Sequence, residues 1–170
     1  MPFTQAPSGE TNIRKLQVDN LVAMLSLLEI DGRYLEVRDV YDGKDVNNFP
    51  FGFITDGDAN PNKNGDQLDN ATYWREKTYN LCIVFQTDKT HEQEIQRHIR
   101  EVEGVIEWFL TRKKVRDTDA DWFPALTPRW EDLILEQISS PIEGANFDLS
   151  DNWIIKIFSI KTRISNSMYA

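Results

Sequence analysis

Cysteine is almost missing from this chain: Cys82 is the only one in 170 residues. No disulfide can form within the chain, so its stability does not depend on an oxidising compartment. Histidine is nearly as scarce, at two residues. That leaves few bases to activate a nucleophile and few imidazoles to hold a metal. Long apolar runs are missing too. Nothing approaches the ~18 residues of a membrane span, and Met1 to Glu10 is polar, without the apolar stretch of a secretion signal. The sequence therefore reads as a soluble protein made in a cytoplasm, with no membrane partner. GxSxG, HExxH, CxxC, P-loop and GxGxxG patterns are all absent. With no evident set of acid, base and nucleophile, a non-enzymatic role without a cofactor is expected.

Positive charge is in deficit, 19 basic against 28 acidic residues, for a net charge of −9. A surface this acidic repels phosphate backbones unless its basic residues gather on one face. The densest basic cluster is Arg112, Lys113, Lys114 and Arg116. It suits the C-terminus of a helix, where cations compensate the dipole, better than a nucleic-acid site.

What the chain does have is pattern. Tyr79, Leu81, Ile83 and Phe85 alternate with Asn80, Cys82, Val84 and Gln86, as in a strand. After a short turn, Ile95, Ile99, Val102, Ile106 and Phe109 draw one apolar stripe down a helix. Thr90 and Gln93 form a capping box, and Glu92 and Glu94 sit in the first turn. The stripe is expected to pack on the strand face of Leu81, Ile83 and Phe85, leaving Glu103 on the opposite side. An earlier helix is expected over Glu10–Ile30, with Ile13, Leu16, Met24 and Leu27 near one face and Asp31-Gly32 as its end. Strands are expected over Tyr34–Tyr41, Phe49–Thr55, Thr72–Phe85, Leu133–Ile138 and Trp153–Ile164. Pro50 and Gly52 argue for an edge or a bulge in the second. The order is α-β-β-β-α-β-β. It predicts one α+β domain over residues 10–170, after a flexible arm of residues 1–9. A mixed, mainly antiparallel sheet is packed by the N-terminal helix and the long central one, with an extended hairpin arm at about 49–85.

Two groups of residues could carry chemistry or contacts. Asp56, Asp58, Asn60 and Asn62 place oxygens at alternate positions, as calcium loops do. Pro61 stands where an EF-hand needs Gly, and Gln67 where a bidentate Glu closes the cage. Turn chemistry explains the same residues, so no metal is expected. His91 and His98, seven apart on the central helix, are separated by ~10 Å of rise, too far for one ion. The second group is aromatic. Tyr73 and Trp74 open a strand, and Trp122, Phe123 and Trp130 lie in or beside a loop. Such residues either fold under as a satellite cluster or anchor an interface. Together with the arm acids Asp56, Asp66 and Asp69 they are the candidate interface residues.

The element order resembles the tail-terminator and tail-completion proteins of long-tailed bacteriophages. The likeness is carried by Tyr79 to Ile95, the helix that continues to Leu110, and the closing strand Trp153 to Ile164. It lies in the succession of elements, since that family has no invariant motif. The resemblance implies a homo-oligomeric ring, often a hexamer, at the head-proximal end of the virion tail, assembled in the host cytoplasm. The ring caps the tail tube and offers a docking face to the neck or head-completion protein, and to a sheath protein if the tail is contractile. DNA passes through without specific binding. A head–tail connector of the same size is the neighbouring alternative. A metal-dependent hydrolase using Asp56, Asp58 and the Asp117, Asp119, Asp121 run is the alternative of another class.

Overall fold

The computed structural model describes residues 13–41, 48–60, 74–87, 89–111, 132–140 and 153–165. Helix α1 spans Ile13–Leu25. Strands β1 (Glu29–Ile30) and β2 (Arg33–Tyr34) form a small hairpin, followed by β3 (Glu36–Arg38), β4 (Phe51–Asn60) and β5 (Trp74–Gln86). A 3-10 turn at Lys89–His91 leads into α2 (Glu92–Thr111), and β6 (Asp132–Ser139) and β7 (Trp153–Ser165) complete the fold. The architecture is α+β. The main sheet has the order β3-β4-β5-β7-β6, with β3 parallel to β4 and every other pair antiparallel.

The two periodicities meet as the sequence predicts. Leu81, Ile83 and Phe85 of β5 share one core with Ile99, Val102, Ile106 and Phe109 of α2, Leu21, Met24 and Leu25 of α1, and Phe158 and Ile160 of β7. Both helices lie on this face, α1 nearest β3 and α2 nearest β6. The opposite face carries a second cluster: Phe51, Phe53, Cys82, Val84 and Ile155, flanked by Tyr41, Phe49, Trp153 and Ile157. Among the described residues no helix covers that side.

Four expectations are corrected. The first helix ends at Leu25, and Asp31-Gly32 is not its cap. Both residues have positive φ, 54° and 78°, the conformation of a two-residue hairpin turn, for which Asp-Gly is favoured. The buried side of α1 is also rotated: Gln17 and Asn20 are buried and Leu27 is 47% exposed. Gln17 tolerates burial because its Oε1 accepts a 2.7 Å hydrogen bond from the Tyr79 hydroxyl. The expected strand over Tyr34–Tyr41 is split. Leu35 turns its N–H to Leu28 O at 2.8 Å, so β2 joins the hairpin and β3 the main sheet. Finally, β4 is flanked on both sides, with Gly52 opposite Val37 and Ile83. A Cβ there would meet Ile83 Cδ1 at 3.0 Å and Leu81 Cδ1 at 3.2 Å. Glycine at 52 makes room for core side chains of the neighbouring strand rather than marking an edge.

Candidate functional site

An open cleft of about 910 Å³ lies between α1 and the β3–β4 side of the sheet. Val18 and Ile54 supply its apolar floor, and Val40, 56% exposed, its rim. The walls carry charges of both signs: Arg14, Lys15 and Asp19 from α1, Asp39 after β3, Asp56 from β4 and Lys77 from β5. Most of these cations are neutralised where they stand. Lys15 Nζ is 2.6 Å from Asp19 Oδ2, one helical turn on. Its hydrogen bond to Asp19 and the charge of that carboxylate, with Asp39 adding, hold Lys15 above the ordinary lysine range. Lys77 Nζ donates to Gly57 O at 2.9 Å, lies 3.6 Å from Asp56 Oδ1, and sits 5.6 Å from the centre of the Tyr79 ring. Arg14 is different. Among the described residues it enters no ion pair. A cleft so balanced has little pull on a small anion.

Asp56, Asp58 and Asn60, expected beyond a strand that ends at Thr55, belong to β4. The register shifts between Asp56 and Ala59, and at Gly57 the backbone comes so close to β5 that a Cβ would stand 3.0 Å from Thr78 O. Only glycine accepts that approach at a bulge without displacement. Strand geometry spaces alternate residues by roughly 6.6 Å, wider than the ~5 Å that spans two oxygens on one calcium ion. Asp56 and Asp58 are exposed, and Asp56 faces Lys77. Among the described residues no group of three His, Cys, Asp or Glu is placed to hold a metal. Trp74 is the first residue of β5, opposite Ser165. Asn62, Asp66, Asp69, Tyr73, Trp122, Phe123 and Trp130 lie outside the described residues, as do the run Asp117–Asp121 and the basic cluster Arg112–Arg116.

Two other places hold polar chemistry. Glu76, 5% exposed, receives Arg163 Nη2 at 2.8 Å and Nε at 3.2 Å, and Lys161 lies 3.5 Å away. Lys161 also reaches Glu136 at 3.3 Å. The hydrogen bond and charge of Glu136, with Glu76 adding, hold Lys161 above the ordinary lysine range. This network ties β5, β7 and β6 together on the face away from the helices. His91 and His98 line a smaller hollow of about 350 Å³ with Phe49, Phe85 and Ile95. His98 Nε2 lies 3.3 Å from Asp31 Oδ2, joining α2 to the small hairpin.

Cys82 is a packing residue. It is fully buried beside Phe53 and Val84, and Thr55 Oγ1 lies 3.9 Å from its sulfur. Burial pushes its thiol up from 9.0 to about 11, with the Thr55 contact opposing. The folded thiol therefore stays protonated where an unfolded one ionises. That contribution to stability is complete below pH 9 and is lost as pH rises through 11. A two-unit window corresponds to about 2–3 kcal/mol. Stability measured from pH 8.5 to 11 should decline more steeply for the native chain than for Cys82→Val, and a thiol reagent should label Cys82 only after denaturant is added. Rapid labelling of the folded protein would show the strand opening.

The outward side of α2 carries apolar residues outside the buried stripe. Trp108 is 57% and Val105 39% exposed, and a Cβ on Gly104 would meet nothing within 4 Å. The signal was present, because Glu101, Gly104 and Trp108 fall opposite the buried stripe at helical spacing. Compared with protein-family models and with curated proteins, the chain matches none.

Proposed function

We propose that this chain is a structural virion protein, a ring-forming tail terminator that caps a phage tail tube and presents a docking face to the neck or head. The observation that carries the reading is the order of its elements. A long β4–β5 hairpin leads directly into one long helix, and a second hairpin, β6–β7, inserts its last strand beside β5. β5 and β7 each run 13 residues, roughly 43 Å of strand, and pair along their whole length. Rings are built from heterologous contacts, in which one patch meets a different patch of the next subunit. The exposed Trp108 and the open cleft beside α1 offer two such unlike patches.

The subunits would form a closed ring, six being the number the resemblance implies. The partners would be the tail-tube protein on one side, the neck or head-completion protein on the other, and a sheath protein where the tail contracts. The net charge of −9 supports passage of DNA without grip, because a lumen lined by carboxylates repels phosphates. Light scattering and negative-stain imaging, with and without the tail-tube protein of the same genome, test this. Rings alone or on tube ends are expected. A strict monomer that leaves the tubes bare would refute it.

A further inference from the structure

We propose that the ring contact is a knob in a hole: Trp108 of one copy seats in the cleft between α1 and β4 of a second copy of this chain. The proposal rests on the ring reading above and adds the surfaces that would make it. The knob is defined by exposure. Among the described residues, Trp108 is the largest side chain of the exposed hydrophobics, at 57%, with Val105 three residues before it at 39%. Gly104 keeps the helix surface beside them low, because nothing stands within 4 Å of its Cβ position. The hole is the cleft of about 910 Å³, within the size range of pockets that enclose aromatic groups. Its apolar surface, from Val18, Val40, Tyr41 and Ile54, lies where an indole would land. Tryptophan is among the side chains most often found as interface anchors.

Charge selects the occupant. Glu101 and Glu107 flank the knob, both exposed, and among the described residues neither enters an ion pair. Arg14 stands at the cleft, also exposed and without an ion pair among the described residues. The other cleft cations are already matched by Asp19 and Asp56. Among the described residues, a cation without an ion pair at the hole and carboxylates without one at the knob are complementary, and both belong to the same chain. Within one copy the two patches sit toward opposite ends of the sheet order. The knob rides on the helix nearest β6 and the hole opens beside β3 and β4, with β5 and β7 between. A contact between unlike patches on two sides of one molecule propagates from copy to copy and closes when the rotation allows.

The direct test is cross-linking. Cys82 is buried, so engineered thiols report on the surface. The double variant Arg14→Cys/Glu107→Cys, oxidised under assembly conditions, should give a ladder of covalent multimers, whereas each single variant should give dimers at most. Charge exchange is the second measurement. Arg14→Glu and Glu107→Arg should each raise the concentration needed for assembly about 2- to 5-fold, and combining them should restore it. Trp108→Ala should raise it roughly 30-fold, the effect of losing an interface anchor. All three positions are on the surface, and an unchanged circular dichroism spectrum verifies folding. Rings that form without a ladder, and that ignore Trp108→Ala, would overturn the proposal and leave the ring standing. Native protein that stays monomeric alone and with tail tubes would overturn both.

Discussion

Ile106→Ala is expected to lower the unfolding free energy by about 2–5 kcal/mol, the usual range for emptying a buried aliphatic site. Ile106 is fully buried on the middle of the α2 stripe, within the core that includes Leu81, Ile83 and Phe85. It lies between two layers held by their own hydrogen bonds, so the space left by three carbons cannot close by a local shift. The control is Glu101→Ala, exposed on the far side of the same helix, which should change stability by no more than about 0.5 kcal/mol. Glu103, which sequence spacing put on that far side, is the wrong control. It is partly buried, and its Oε2 lies 3.6 Å from Lys156 Nζ, because the flank of α2 leans toward β7. Urea denaturation of both variants decides the matter. Equal costs would mean that the helix is rotated relative to the sheet.

The second large effect is expected at Arg163. Its removal strands a carboxylate that is 5% exposed, leaving Lys161 at 3.5 Å as a weaker partner. Arg163→Ala should cost about 2–3 kcal/mol, somewhat less than a fully enclosed pair because the guanidinium side chain is 36% exposed. Arg163→Lys should recover only part of this. An ammonium cannot present two donors in one plane, as Nε and Nη2 do to Glu76 Oε1. Replacing both Glu76 and Arg163 by methionine should be milder than Arg163→Ala, since no buried charge is then left behind. A double-mutant cycle by chemical denaturation measures the coupling. A coupling near zero would show that the pair is an ornament of the surface.

The parts of this fold that sequence made legible are those in which local pattern and burial coincide. Along β5 the alternation of Tyr79, Leu81, Ile83 and Phe85 with Cys82 and Val84 is the alternation of two clusters on two faces. Along α2 the stripe from Ile99 to Phe109 is the buried side. What failed to show was decided by partners distant in sequence. Gln17 is polar, and its place inside depends on a tyrosine hydroxyl 62 residues away. Gly52 looked like an edge position because the strand that covers it, β3, is only three residues long and pairs in parallel, and Pro50 lies just before β4. Asp31-Gly32 could end a helix or turn a hairpin, and the choice fell to the bond from Leu35 N to Leu28 O. The cleft was invisible for the same reason, since its walls come from four elements spread between Arg14 and Lys77. Trp108 alone could have been found by drawing the helix in projection and asking what lay opposite the stripe.

The pairing of β5 with β7 sets the order in which the molecule can be completed. Tyr79 lies opposite Ile160 and Trp74 opposite Ser165, so the middle of the sheet joins segments about eighty residues apart. A chain emerging from a ribosome can assemble α1, β4, β5 and α2 early, but the inner edge of β5 then stands bare along 13 residues. An unpaired edge with apolar side chains on both faces invites pairing with a neighbour on the same message. Strand β7, made well after β5, is therefore the one that converts an adhesive intermediate into a sheet with its central edge covered.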